Sequence, residues 1–589
     1  MTSGKINRGN QGFRFTDLKQ PYQSLSNFIL SHRTAIIFLL IFLINLLLVS
    51  PSLMPGYSVV NPDDEAKYVE SGWRLLRGDV RDLAWGPLVS VVYAPIHLVL
   101  GNSPDWFMLE TWLGRFVLYA FLWWSIFYLA LQFKSYLSPY TMLGVLFVST
   151  PLFSVLRNQS DAVFLGFSAL ALAHLVRFAY QQKMKDLGMA SLLVGLGVLA
   201  RVETLVLIVT LIILGFVIGK SKFPLYRILL SSILPALCVL GIFFISSLIL
   251  VGNLNLGIAY KSYDSFEMNQ AILTGGDIDL AREETRRLFG SQEENQASIL
   301  RAISRNPYAF SLRILANIKT IPDNYFDFFG KKLGAVLLFF AAWGVYGLIR
   351  KKAILPLMIL LIWPLHAFIS LGFLSMHIVP QVSYLPLLLG ALGIGRIFGP
   401  DSRPRERVVF LLSCALILIL SWLTHKPAFL FGFLMLVIVL LLLQLVHMGT
   451  NNDHPAMFLP VLLLLVAGLI LRDPFPFPNY PSLGKTADEQ AVHYLLKNLP
   501  SQTTILVPSP LQAIAAKLSY LTMNDVPENI TSIEVLWSWL KQANVHAVLL
   551  DSNRRVRNDI YDQMEEGYSP YFSTIYTSPD NNIRIFSIK

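Results

Sequence analysis

Three carboxylates stand side by side at Asp63, Asp64 and Glu65. Adjacent carboxylates repel one another, so at least one holds its proton more tightly than an isolated acid unless a cation shares the site. Two kinds of chemistry suit such a cluster. An ionised carboxylate can take the proton of an acceptor hydroxyl as a general base, or several together can hold a divalent metal that shields a phosphate. A structural role fits the same residues: Asn61-Pro62-Asp63 suits a helix start, with asparagine as cap, proline in the first turn and acids at the positive end of the dipole. The two roles are compatible, and both stay open.

The elements that must position these acids are membrane helices. Of 589 residues, 54% are hydrophobic and 14% charged, against roughly a quarter charged in soluble domains. Apolar runs of about 20 residues, enough for one helical crossing, recur from 34 to 472. They lack the alternation of a membrane barrel. This excludes an ordinary soluble protein and predicts a mainly α, polytopic fold. About thirteen spans are expected, near 34–51, 106–133, 138–157, 161–180, 187–201, 203–219, 226–252, 332–349, 354–374, 379–397, 407–424, 427–447 and 456–472. The first lacks a small-residue cleavage site, since Pro51, Leu53 and Pro55 follow it, and reads as a retained anchor. The run 87–100 is short and holds Pro95, so it is expected to lie in the outer interface.

The net charge of +10 suggests a nucleic-acid partner only until the placement of the charge is read. Lysine and arginine fall mainly in short loops between spans: Lys134, Arg177 with Lys183 and Lys185, Lys220 with Lys222 and Arg227, Arg350 to Lys352, and Arg396 to Arg407. With the span count above, all of these share a side with the N-terminal basic residues, and that side is the cytoplasm. No nucleic acid is expected as a partner. Cys238 and Cys414 lie inside apolar runs and imply no disulfide or metal framework.

The expected organisation is therefore a cytoplasmic segment 1–33, a transmembrane domain 34–472 with outer loops 52–105 and 253–331, and an extracytoplasmic domain 473–589. In that last domain the apolar runs 504–507, 546–550 and 584–588 read as strands, and 487–498, 510–518 and 533–542 as helices. Such alternation predicts a small α/β layer. It carries no phosphate-cradling glycine loop, no Ser-His-Asp arrangement and no metal-ligand spacing, so it reads as a folded cap.

Four segments together resemble the GT-C superfamily of membrane glycosyltransferases, in the branch of protein O-mannosyltransferases, aminoarabinose transferases and bacterial mannosyltransferase-like proteins. Asp64-Glu65-Ala66 with Tyr68, Leu76, Gly78 and Asp79 is similar to that family's first-loop DE motif. Gly86-Pro87-Leu88 resembles the proline-rich element after it. The string TPLFSVLRNQSDAVFLGFSALALAHLVRF resembles its third and fourth spans, with Asp161 at the acidic position, and GLGVLARVETLVLIVTLI resembles the next pair, with Arg201 between them. The likeness covers most of the first 220 residues in order. Two features depart from it. Ala84, Trp85 and Gly86 stand where the aminoarabinose branch has an acid and a lysine, and Ser383-Tyr384 replaces an Arg-Tyr pair.

The resemblance implies a polyprenyl-phosphate sugar as donor and a protein, lipid or glycan as acceptor, with transfer on the outer face of a cell envelope's plasma (inner) membrane. It implies Asp64 as the catalytic base, with Glu65 and Asp161 orienting it, and inversion in a single displacement. Arg201 would offset the donor phosphate, as would Arg157, four residues before Asp161, although a snorkelling anchor fits Arg157 equally. A divalent metal is a candidate cofactor, with Asp64, Asp161 and His377 as candidate ligands. A lone interfacial histidine is as readily a bystander. In the second outer loop, Tyr325, Phe326, Phe328 and Phe329 suit either a sugar platform or an interfacial aromatic belt. A lipid or glycan flippase and a non-catalytic envelope assembly protein are the alternative readings. Ionisable residues deep in the spans are scarce, Arg115 being the chief exception, and no inverted repeat is visible, which counts against transport.

Overall fold

The computed structural model describes residues 35–47, most of 62–398 and most of 487–589, with Val408 alone between the last two ranges. The expected segment 1–33, the spans expected at 407–424, 427–447 and 456–472, and Arg157 lie outside the described residues. The chain divides into two compact units, Met1–Leu48 and Val49–Lys589. Of the first unit, helix α1 (Ala35–Leu47) is described.

The second unit opens with α2 (Pro62–Leu76), α3 (Pro87–Leu100), α4 (Trp106–Leu131), α5 (Pro139–Val148), α6 (Gln159–Gln181), α7 (Met184–Ala200), α8 (Val206–Gly219) and α9 (Leu225–Val251). Among the described residues, four helices are individually long and apolar enough to cross a membrane: α4, α6, Leu225–Ser246 within α9, and Leu333–Arg350. The protein is a polytopic, mainly α membrane protein. α5 is much shorter than the span expected at 138–157. Ser149 turns its hydroxyl back to the Val145 carbonyl at 2.6 Å, and the proline at 151 forbids further helical bonding.

The described part of the segment expected as an outer loop at 253–331 is itself folded. Its helices α10 (Ile258–Met268), α11 (Ile278–Phe289), α12 (Ile299–Arg305) and α13 (Pro307–Phe329) enclose a core of Tyr263, Phe266, Phe289, Ala297 and Ala302. Arg313 is buried there at 1% exposure. It donates to the Phe266 carbonyl at 2.9 Å and the Thr285 hydroxyl at 3.0 Å, with its guanidinium 4.4 Å from the Phe266 ring centre. In the aromatic run 325–329, for which a sugar platform and an interfacial belt are both open, the rings pack on one another. The Tyr325 ring lies 5.0 Å from that of Phe329, tilted by 45°, and its hydroxyl donates to the Gly334 carbonyl at 3.0 Å, so these rings fasten α13 to the next helix.

That helix is α14 (Lys331–Arg350), followed by α15 (Ile354–Ile362), a 3-10 stretch (Trp363–Gly372), α16 (Ile378–Val382) and α17 (Tyr384–Phe398). The span expected at 354–374 changes helix type where Pro364 removes a backbone donor. α14 and α17 cross at glycines. A Cβ on Gly344 would strike the Leu389 carbonyl, and one on Gly393 would strike the Phe340 carbonyl. Small residues let two membrane helices approach to backbone contact.

The C-terminal domain contains α18 (Ala487–Asn498), β1 (Thr504–Val507), α19 (Pro510–Ala515), β2 (Ser519–Thr522), α20 (Ile533–Gln542), β3 (Val545–Asp551), α21 (Asn558–Glu565), β4 (Phe572–Thr577) and β5 (Ile583–Ile588). The sheet runs β2-β1-β3-β5-β4, with β2, β1 and β3 parallel and β3, β5 and β4 antiparallel. Leu506, Val548, Leu550 and Phe586 from the sheet pack on Ile533, Leu536 and Leu540 of α20. This is the expected α/β layer.

Candidate active site

Two buried carboxylates converge on the start of α6. The first is Asp161, in its first turn and 1% exposed. That position favours a negative charge, because unpaired backbone N–H groups of the turn point toward it. Arg201, which follows the last residue of α7, donates Nη1 to Asp161 Oδ1 at 2.7 Å. His377, just before α16, donates Nδ1 to Asp161 Oδ2 at 2.5 Å. Gln381 Nε2 lies 3.4 Å from Oδ1. Three elements far apart in sequence thus meet on one side chain.

The second carboxylate is Glu65 in the first turns of α2, 5% exposed. Arg115 of α4 grips it with both arms of the guanidinium, Nε to Oε1 at 2.7 Å and Nη2 to Oε2 at 2.5 Å. Gln159, two residues before Asp161 on α6, donates to Oε1 at 2.6 Å and accepts from the Tyr93 hydroxyl at 2.9 Å. Buried charge is costly unless paired and fully hydrogen-bonded, and both acids meet that condition. Asp64 precedes Glu65 in the same helical turn. Its backbone place is set by α2, which the Glu65–Arg115 pair ties to α4.

Each acid is therefore matched by one arginine, Glu65 by Arg115 and Asp161 by Arg201. The candidate ligands Asp161 and His377 come together, but on each other. Arg201 already holds Asp161 Oδ1, and among the described residues no group of three metal-ligating side chains forms. A guanidinium and an imidazole N–H on the two carboxylate oxygens do not fit a divalent ion, so no step is routed through one.

Below Asp161 the seam between α6 and the following broken segment stays polar. Trp363 Nε1 donates to Ser168 at 3.0 Å, and His366 Nδ1 donates to the Trp363 carbonyl at 2.8 Å, with its ring edge-on to Phe164. Asp161, Phe164 and Ser168 lie on one face of α6 by their spacing of three and four.

Arg115 is the main functional residue that motif reading undervalued, although an arginine inside an apolar span signals a site by itself. Gln159, Gln381 and Tyr93 carry no such signal, since neutral polar side chains are common at span ends.

The arrangement of these helices is a fold shared with solved structures of low sequence identity. Among the solved structures that it matches are two of ArnT from Cupriavidus metallidurans. The apo form has 12% identity, covers 94% of this chain and 98% of that one, and gives a TM-score of 0.50. The form bound to undecaprenyl phosphate has the same identity and coverage, with a TM-score of 0.53. The likeness is one of fold. No protein-family model matches the chain, and no curated protein matches it.

Proposed function

We propose that the protein is an inverting membrane glycosyltransferase, moving a sugar from a polyprenyl-phosphate donor to an acceptor hydroxyl on a protein, lipid or glycan at the outer membrane face. The observation that carries the reading is the meeting of Glu65 and Asp161 at the start of α6, each held by its own arginine, in a fold also seen with undecaprenyl phosphate bound. Asp64, beside Glu65, takes the acceptor proton. The acceptor oxygen bonds to the anomeric carbon as that carbon's bond to the phosphate oxygen breaks, and the lipid phosphate leaves with the electron pair. Glu65, fixed by Arg115, orients the turn that bears Asp64. Arg201, at the end of α7, offsets phosphate charge, and Arg157 is the second candidate for that role by its place in the sequence. Low dielectric around the site strengthens each of these interactions.

The test is sugar transfer in nanodiscs, after mass spectrometry of lipid-linked and envelope glycans, with and without the protein, has identified the product. Asp64→Asn keeps size and hydrogen bonding but removes the base, so transfer should fall about a hundredfold or more. Near-normal turnover in that variant would sink the base assignment, and unchanged glycans in cells lacking the protein would sink the enzyme reading. The reading also sets the topology, N-terminus inside and C-terminal domain outside. A cysteine at the exposed Gln542 should label with an impermeant reagent in intact cells, and one at Lys352 should not. The reverse pattern overturns it.

A further inference from the structure

The C-terminal domain touches the helix that carries the proposed base. Tyr520 of β2 donates its hydroxyl to Glu70 Oε2 at 2.8 Å. Glu70 is 3% exposed and sits in α2, five residues beyond Glu65, with its other oxygen held by Arg74 at 2.5 Å. Two further contacts flank this one. Trp106, the first residue of α4, donates Nε1 to the Ala515 carbonyl at 3.2 Å and so satisfies the last carbonyl of α19. Lys517 donates to the Gly101 carbonyl at 2.6 Å and lies 5.0 Å from the Trp106 ring centre. Its backbone is left-handed, with φ of 56°, a conformation uncommon for lysine and worth its strain only where the surroundings hold it.

On its other side α2 packs against α3, where Gly72 lets the Tyr93 side chain approach; an added Cβ would lie 2.6 Å from the Tyr93 Cβ. α2 is thus clamped between α3 and the C-terminal domain and tied at two points along its axis. Glu65–Arg115 fixes its first turns, and Glu70–Tyr520 fixes its middle. One tie permits a helix to rotate or slide; two set its register. A slip of one residue moves a helix by about 1.5 Å, several times the roughly 0.5 Å within which a catalytic group must be held.

We propose that Tyr520 and Lys517 are positioning residues for the active site, through which the C-terminal domain sets the register of α2 and hence the place of Asp64. The catalytic part of this inference rests on the glycosyltransferase reading; the mechanical part does not.

Hydrogen exchange of the full chain in nanodiscs tests it, comparing wild type with Tyr520→Phe, Lys517→Met and, as a control, Ser538→Ala at an exposed position elsewhere in the domain. In the first two variants, amides of 62–76 should exchange about five- to tenfold faster, the scale of one lost hydrogen bond, with β3 and β5 as protected as before. In a Glu70→Gln background, Tyr520→Phe should add far less. Unchanged exchange across α2 in both variants would overturn the proposal. Lost protection of β3 and β5 in both would also overturn it, by making the two residues folding determinants of their own domain. Binding of undecaprenyl phosphate by the wild type is read separately: its absence defeats the glycosyltransferase reading and leaves the exchange result standing. Once transfer is measurable, kcat should fall in Tyr520→Phe with KM for the donor unchanged.

Discussion

Breaking the Glu65–Arg115 pair should cost far more when one partner is removed than when both are. Glu65 accepts three short hydrogen bonds, two from Arg115 and one from Gln159, and both charged groups are nearly excluded from solvent. Arg115→Gln leaves a buried carboxylate with Gln159 as its remaining strong donor. Glu65→Gln leaves a buried guanidinium beside two neutral amides. Each single change should destabilise by about 3–5 kcal/mol, the cost of stranding a buried charge. The double variant holds no charge at this point and loses little more than hydrogen-bond quality, about 1–2 kcal/mol. The double change should therefore fall short of the sum of the singles by about 4 kcal/mol or more, above the usual range for contacting residues. Reversible unfolding in mixed micelles, followed by far-ultraviolet circular dichroism, measures all three. Single changes below about 1 kcal/mol that simply add would refute the view that this pair anchors α2 to α4.

Three further outcomes are expected. Gly344→Leu drives a side chain into the Leu389 carbonyl and should destabilise by about 1–3 kcal/mol or more, seen as a lower unfolding temperature in detergent; an unchanged temperature means α14 and α17 do not cross there. Arg313→Met removes two hydrogen bonds and a guanidinium set against Phe266 and Phe289, so limited proteolysis should cut 258–329 about tenfold faster or more; equal rates would show that the α10–α13 unit holds without it. Burial, with Lys517 and Arg77 adding repulsion, holds His97 below its ordinary value of 6.5. Its neutral form therefore favours the docked state, and that contribution is present above 6.5 and lost as pH falls through the depressed value. Exchange across 510–522, corrected for intrinsic rate, should rise between about pH 7.5 and 5.5, and His97→Gln should flatten the rise; a flat profile in the wild type would refute this sign.

Regular elements with strong periodicity were readable from sequence almost to the residue. The helices expected at 487–498 and 533–542 and the strand at 504–507 coincide with α18, α20 and β1. β2 and β4 were missed for a physical reason. β2 sits at the sheet edge with no side chain fully buried, and β4 is the opposite edge with Phe572 alone buried, so neither shows an apolar run. In the membrane part, hydropathy located the long apolar helices α4, α6, α9 and α14 but not the break at Trp363, because a 3-10 turn costs no hydrophobicity. At the site, the acidic run 63–65 stood out in the sequence and Asp161 was implied by the family resemblance, whereas the pairings of Glu65 with Arg115 and of Asp161 with His377 were not. Arg115 lies 50 residues from Glu65, and His377 lies 216 from Asp161. Pairings at such separations are made by helix packing, and a single sequence does not encode them locally.

The position of β5 has a consequence for biosynthesis. β5 is the last strand in chain order, yet it lies between β3 and β4 rather than at an edge. The sheet cannot close until Ile588 has left the ribosome, by which time the helices before residue 398 have already been synthesised. If the C-terminal domain sets α2, an interrupted chain would insert, span the bilayer and pair Glu65 with Arg115, yet remain inert. The order of translation would then leave α2 without its second tie until β5 has been made.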